Sequence, residues 1–215
     1  TVYNAVLNKA QFWDGRDPHL EAQAQGPVQA GPEMAAYVAE FKKAYGKDVK
    51  ITFEKITDSI AAYERTLITP SRFDKFLDGD ANALTKAEKE GLNCFIDKGC
   101  ASCHNDVGLG GTMQPFNAAK YDLNVGGFTG TKDGMVKTPT LRNIEETAPY
   151  FHNGNIWSLQ DAVKQMGKIQ LGISIDDVDS GKITTFLKSL TGNKPNIAYP
   201  QLPVISDKTP KPDMN

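Results

Sequence analysis

Apolar residues along this chain recur mostly at the three- and four-residue spacing of amphipathic α-helices. These runs predict helices over residues 34–45, 56–67 and 183–190, and a shorter helix from Ser158 to Met166. The segment Thr85 to Glu88 has the sequence of a capping box, in which a threonine and a glutamate satisfy the first backbone amides of a helix. The pattern therefore predicts a mainly α-helical fold with long loops.

Glycine and proline divide the chain into three parts. The segment Asp78-Gly79-Asp80 predicts a turn and marks a domain boundary, so we expect a first unit over residues 1–80 and a second over 81–192. Residues 108–137 are rich in glycine and predict loops. The last segment, 193–215, contains five prolines, which exclude a helix and predict an extended tail that packs back on the first unit.

Gly91 lies inside the helix that the capping box begins. A glycine there costs about 1 kcal/mol relative to alanine, so its presence calls for a structural reason. The predicted reason is the close approach of the helix over residues 183–190, with Phe95 packed alongside. Gly192 follows that second helix and is predicted to close it.

The motif with the clearest chemistry is Cys100-Ala101-Ser102-Cys103-His104. A Cys-x-x-Cys-His sequence is typical of covalent c-type haem attachment, with two thioethers and an adjacent histidine that ligates the iron. A redox-active cysteine pair and half of a zinc site are the alternatives. A redox pair gives no reason for the histidine, and a zinc site needs further ligands. The remaining thiol, Cys94, is interpreted as a small buried hydrophobe.

His104 provides one axial ligand to a haem, and a methionine on the opposite face would raise the reduction potential, as suits electron transfer. Spacing alone leaves Met113, Met135 and Met166 open as that ligand. Two more methionines lie in less favourable places, Met34 in the first unit and Met214 in the tail.

Composition and charge limit the partners and the cellular location that we expect. The formal net charge is −2 and the pI about 5.9, so nothing points to nucleic acid as a partner. No apolar run reaches the roughly 18 residues of a membrane span. Thioether haem attachment takes place outside the bacterial cytoplasm, so the periplasm is expected. His19 is interpreted as a lone surface histidine and Trp13, from its apolar character alone, as a core anchor.

Several stretches on both sides of the haem motif match one known family in order along the chain. On these stretches the chain resembles the bacterial di-haem cytochrome c peroxidases over essentially its whole length. The stretches are residues 1–6, 11–16, 26–29, 33–34, 97–100, 140–143, 149–152 and 170–174.

The resemblance implies a c-type cytochrome domain plus the distal part of a second, cytochrome-like domain. It implies reduction of hydrogen peroxide to water with electrons from a small c-type cytochrome or a cupredoxin. Such peroxidases bind two haems, and this sequence holds one motif. This chain would carry the electron-transfer haem c, and the segment with the second haem c is expected before Thr1. Family members are typically homodimers.

The resemblance also assigns roles to residues. Met166 matches the methionine ligand of the electron-transfer haem, and Glu33 matches the distal acid–base residue of the peroxide pocket. Gln23 matches the polar residue beside that acid, and Trp13 matches the tryptophan between the two haems. Two residues, Thr147 and Pro149, match backbone-carbonyl ligands of a calcium ion, a type of ligand that suits this cation.

Two other functions stay open from the residues alone. A mono-haem electron-transfer cytochrome without peroxidase activity needs no more cofactor machinery than this sequence contains. A haem-based redox sensor is the other alternative, although the sequence contains no recognisable signalling segment.

Overall fold

The computed structural model describes residues 2–28, 38–50, 52–117 and 130–198. Within these ranges the chain is mostly helical, which confirms the mainly α fold predicted from the sequence. Seven α-helices occur there: α1 (Leu20–Val28), α2 (Val38–Tyr45), α3 (Phe53–Arg65), α4 (Arg72–Leu77), α5 (Lys86–Asp97), α6 (Leu159–Met166) and α7 (Asp177–Lys188). Short 3₁₀ helices cover Ala5–Leu7, Cys100–Ser102 and Ile144–Glu146, and a π-helical turn, Gly167–Leu171, continues α6.

Polar side chains fix where the helices begin. The predicted capping box is confirmed: the Thr85 hydroxyl accepts from the Glu88 amide at 3.3 Å, and the Glu88 carboxylate accepts from the Thr85 amide at 2.8 Å. Thr52, Ser158 and Asp176 accept in the same way from the first turns of α3, α6 and α7. Each cap satisfies an amide that the helix itself leaves without a partner.

Helices α5 and α7 cross at Gly91, as the sequence predicts. A Cβ atom at this position would overlap the Lys182 carbonyl oxygen and lie 2.9 Å from the Phe186 Cβ. The absence of a side chain therefore lets the two helix backbones meet. Phe186 is fully buried and contacts the rings of Phe95 and Phe73, with centroids 5.3 and 5.4 Å apart. These aromatic rings form the centre of the main core.

Helix α4 joins this main core although it precedes the boundary predicted at residue 80, because Phe73 and Phe76 pack within the same cluster. The predicted role of Gly192 is wrong. Helix α7 ends at Lys188, and Gly192 instead forms an isolated bridge with Ser71. A Cβ there would overlap the carbonyl oxygen of Thr69, so this glycine permits close approach of two chain segments.

A smaller cluster of Ala5, Leu20 and Ala61 joins the first 3₁₀ helix, α1 and α3. The face of α3 that turns inward carries Thr57, Ala61 and Glu64. Tyr63, one of the apolar positions that predict the helix over residues 56–67, is exposed instead. The stripe therefore predicts the helix correctly and its buried face only in part.

The predicted loop region also contains two short strands. Strands β1 (Met113–Pro115) and β2 (Met135–Lys137) pair antiparallel, with Met113 opposite Lys137. The helix predicted over residues 34–45 corresponds to α2, and its predicted start at residue 34 lies outside the described residues. Most of the proline-rich tail also lies outside them. No helix in the described part of the chain is long and apolar enough to cross a membrane.

Candidate haem-binding site

A cavity of about 550 Å³ lies among the loops that surround the Cys-x-x-Cys-His motif. Its volume is within the roughly 300–1,000 Å³ typical of small-molecule and cofactor sites. The wall includes Cys100, Cys103, His104 and Met166, together with apolar side chains of α5, α6 and α7. Residues of the first 3₁₀ helix, α1 and α3 complete the same wall.

His104 follows the 3₁₀ helix that carries the first cysteine. Its Nδ1 lies 2.8 Å from the Leu109 carbonyl oxygen, so Nδ1 carries the proton and donates it. Burial lowers the pKa of His104, which favours the neutral ring. The Nε2 atom therefore keeps its lone pair, as a metal-ligating histidine requires.

The two motif cysteines form no disulfide and both line the cavity wall. Burial raises the pKa of Cys100 to about 11, the opposite of the lowered pKa that a reactive redox thiol needs. Among the described residues, no group of three or more His, Cys, Asp or Glu side chains is placed to hold a metal ion. The raised pKa of Cys100 disfavours the redox alternative, and the histidine that follows the cysteine pair fits covalent haem attachment.

Three candidate methionine ligands fall within the described residues, and they differ in position. Met166 ends α6 and lines the cavity. Met113 and Met135 lie on β1 and β2 and do not belong to the cavity wall. The Met113 sulfur instead lies against Gly15, where an added Cβ would be 2.6 Å from it. Met34 and Met214 lie outside the described residues.

Three consecutive carbonyl groups beside His104 are each held by a side chain. Arg142 Nε donates to the Val107 carbonyl at 2.7 Å, the Thr140 hydroxyl donates to the Gly108 carbonyl at 2.6 Å, and His104 donates to the third, that of Leu109. We call residues 107–109 the proximal loop. The hydrogen bonds fix its backbone, and with it the direction in which the His104 ring points.

Arg142 is only 6% exposed and also forms a bidentate ion pair with Asp74 of α4, at 2.9 and 2.6 Å. Burial alone would raise the pKa of Asp74, but hydrogen bonds from Arg142 and Ser71 outweigh it and lower the pKa to about 2. The sequence draws attention to the stretch 140–143 but assigns no role to Arg142. A lone arginine carries no spacing signal that would reveal one.

The cavity wall also contains two residues to which the family resemblance assigns roles. Gln23 of α1 and Trp13 both line it. The Trp13 ring is edge-on to the His152 ring, with centroids 5.7 Å apart. Trp13 is 40% exposed, so the core-anchor interpretation is wrong. Glu33 lies outside the described residues.

Two residues predicted to bind calcium, Thr147 and Pro149, also belong to the cavity wall. The Thr147 hydroxyl donates to the Ile144 carbonyl at 3.1 Å, which holds the turn after the third 3₁₀ helix. His19 is exposed, as predicted, and Cys94 is partly buried against the main core.

Two charged residues in the wall were missed by the sequence reasoning, Glu64 of α3 and Lys137 of β2. Burial raises the pKa of Glu64 and lowers that of Lys137, so both ionised forms are disfavoured. In the sequence, neither residue belongs to a motif or a spacing pattern that would set it apart from other charged residues. Only the tertiary structure brings them to the cavity.

Known proteins resemble this chain in sequence over nearly its whole length. The sequence model described as di-haem cytochrome c peroxidase matches residues 1–82. Cytochrome c551 peroxidase of Pseudomonas aeruginosa is 42% identical over 240 residues, which cover 99% of this chain and 69% of that protein. The chain belongs to the di-haem cytochrome c peroxidase family. This confirms the resemblance drawn from the sequence and identifies the protein as a di-haem peroxidase, whose cofactor is covalently bound haem c.

Cytochrome c551 peroxidase of Nitrosomonas europaea is also 42% identical to this chain, and the match covers 98% of this chain and 70% of that protein. Among solved structures, a MauG-like protein associated with microbial copper homeostasis superposes with a TM-score of 0.70 over 89% of this chain and 74% of that one. Its sequence identity is 24%, so the likeness supports the peroxidase-type fold alone.

Proposed function

We propose that this chain carries the electron-transfer haem of a peroxidase that reduces hydrogen peroxide to water. The donor would be a small c-type cytochrome or a cupredoxin. The observation that carries the proposal is the composition of one cavity wall, which contains both motif cysteines, His104 with Nε2 available, and Met166. Of the methionines in the described residues, Met113 and Met135 have no place in that wall.

The residues present fit a c-type haem. Cys100 and Cys103 would hold the porphyrin through thioethers, and His104 and Met166 would be the iron ligands. The bound haem would supply one-electron redox chemistry at a potential raised by the methionine. The proximal loop holds His104 in one orientation, and Phe95, with its ring centroid 6.4 Å from that of His104, packs beside it. Both features limit movement of the His104 ring when the site gains or loses an electron.

On the peroxide side, Gln23 would hold the peroxide by hydrogen bonding. Glu33 would take the proton of one peroxide oxygen and deliver it to the other, as a general acid–base residue does. Trp13 lies in the same wall as the motif and would stand between the two haem sites.

Three further features belong to the proposal. Thr147 and Pro149 would offer backbone carbonyl oxygens to calcium, a hard cation that prefers oxygen ligands. Thioether haem attachment supports a periplasmic location, and a homodimer is proposed from the family resemblance. A count of iron per complete protomer tests the proposal, because a di-haem peroxidase requires two haems.

Replacement of Met166 by histidine tests the assigned ligand. Because methionine raises the haem potential relative to a bis-histidine site, the Met166→His variant should have a sharply lower reduction potential by spectroelectrochemical titration. The charge-transfer band of an iron–methionine bond should also disappear. Met113→Leu is the matched control and should change neither signal. If Met166→His keeps the wild-type potential while Met113→Leu lowers it, the ligand assignment is wrong.

A further inference from the structure

Two buried side-chain polar atoms lack a hydrogen-bond partner in the described part of the chain, Asn8 Oδ1 and Glu64 Oε2. Both residues line the same cavity. Buried polar groups almost always have partners, and an exception in a native protein calls for an explanation. The cavity is therefore where these two atoms find theirs, and only Glu64 can also give up a proton.

Glu64 sits in the last turn of α3 and is 7% exposed. The charges nearest to it are already engaged with each other: Arg65, on the next position of α3, pairs with Glu21 of α1 at the surface. Glu21 also contacts His19, at 3.1 Å, while the 3₁₀ helix Ala5–Leu7, which also packs on α3, carries no charge. Among the described residues, no ion pair involves the Glu64 carboxylate.

Burial accordingly raises the pKa of Glu64, with Arg65 opposing the rise and Glu21 adding to it. An uncompensated buried carboxylate is costly, so the neutral acid is the form that folding favours. A side chain kept only for packing would gain stability as a hydrophobic residue of similar size. Under the proposed function, a neutral carboxylic acid in the cavity wall has a chemical use, since it is a proton donor.

We infer that Glu64 is a proton-relay residue that supplies the cavity with one of the protons consumed by peroxide reduction. The inference rests on the proposed peroxidase function. Reduction of one hydrogen peroxide breaks the O–O bond, takes two electrons from the donor protein and two protons from solvent, and forms two water molecules. Glu33 only moves a proton that peroxide already carries, so both solvent protons need a route. Glu64 donates one and regains it from the surface side of α3, where Arg65 and Glu21 lie.

The Glu64→Gln variant of the complete holoenzyme tests this inference, because glutamine keeps the shape and cannot deliver a proton. Positioned proton transfer contributes roughly 10²–10⁴-fold, and water can partly replace a relay, so we expect kcat to fall about 10²-fold. Haem content, absorption spectrum and the rate of haem reduction by the donor should stay unchanged. Wild-type kcat should fall as pH rises through the pKa of Glu64, and this fall should be missing from the pH–rate profile of Glu64→Gln.

Infrared spectroscopy gives a readout independent of turnover. The wild type at neutral pH should show a carboxylic acid C=O band that shifts in D₂O and is lost in Glu64→Gln. Glu54→Gln, which neutralises an exposed carboxylate in the first turn of the same helix, is the matched control and should keep the band and the turnover. If Glu64→Gln fails to load haem, Glu64→Asp keeps the acid one methylene shorter, and should keep a shifted band with intermediate kcat.

Glu33→Gln separates this inference from the proposed function. If Glu33→Gln abolishes turnover while Glu64→Gln leaves kcat and its pH profile at wild-type values, the relay is refuted and the peroxide pocket stands. If Glu33→Gln keeps full turnover, the peroxide pocket assignment fails instead. Absence of the infrared band from the wild type also overturns the relay, whatever the kinetics show.

Discussion

The ion pair between Asp74 and Arg142 should be a main determinant of stability around the proximal loop. Removing one partner of a buried pair costs about 3–5 kcal/mol, since it leaves the other charge uncompensated. Arg142 is buried, but the Asp74 side chain is 27% exposed, so water can partly solvate it after the change. We therefore expect Arg142→Met to lose about 3 kcal/mol of unfolding free energy, at the low end of that range.

The pKa of Asp74 provides a second estimate. It falls from the usual 3.8 to about 2, and each unit corresponds to about 1.4 kcal/mol, so the charged form gains roughly 2 kcal/mol in the fold. Hydrogen bonds from Ser71 supply part of this gain and solvent screens part of it. Arg142 alone then accounts for about 1–2 kcal/mol through Asp74, and its bond to the Val107 carbonyl for about 1 kcal/mol more.

Urea unfolding of the haem-loaded protein checks these magnitudes in a double-mutant cycle of Asp74→Asn and Arg142→Met at pH 7. The coupling energy should be about 1–2 kcal/mol. Thr140→Val is the control, because it removes two neutral hydrogen bonds, one to the Gly108 carbonyl and one from the Arg142 amide, and no charge, at about 1–2 kcal/mol. Since the pKa of Asp74 is lowered by folding, its stabilisation is complete above pH 3.8 and is lost as pH falls towards 2. Zero coupling, or an Asp74→Asn variant with the wild-type acid dependence, would refute the reasoning.

Two further variants test the helix pair and its cap, both by urea unfolding. Gly91→Ala should lower the unfolding free energy by about 3 kcal/mol, because the added Cβ meets the Lys182 carbonyl of α7. Gly181→Ala, on α7 itself, is the control: its Cβ meets nothing closer than 3.8 Å, and the change should raise the unfolding free energy by up to about 1 kcal/mol. Equal effects of the two changes would contradict the close-approach argument. Hydrogen bonds from Arg72 lower the pKa of Glu88 to about 2, so Glu88→Gln should destabilise at pH 7 by about 1–2 kcal/mol. That deficit should shrink as pH falls from 4.5 towards 2, and a constant deficit would assign the effect to packing.

Features that depend on a few neighbouring residues could be predicted from the sequence. The capping box at Thr85 and the haem motif are local, because the chemistry itself fixes the spacing of their members. Gly91 was also predictable, since a helix tolerates a mid-helix glycine only for a reason. These three features correctly locate helix α5 and the candidate site that follows it.

Features that depend on what a segment packs against could not be predicted. The inward face of α3 carries Thr57, whose hydroxyl donates to the Glu54 carbonyl, and Glu64, which lines the cavity, so an apolar stripe could not reveal it. Strands β1 and β2 have three residues each and are too short to show an alternating pattern. Gly192 has the position of a helix cap by sequence, yet the contact that requires glycine there is with Thr69, far away in the chain.

The methionine ligand shows how the two kinds of information combine. Spacing leaves Met113, Met135 and Met166 equivalent, and what distinguishes them is where each segment lies relative to His104. Met166 reaches the cavity because α6 packs on α7, which in turn packs on α5 just before the haem motif. The α5–α7 contact depends on Gly91. The position of the proposed sulfur ligand is therefore set by a glycine 75 residues earlier in the sequence, through packing that no local pattern around Met166 could show.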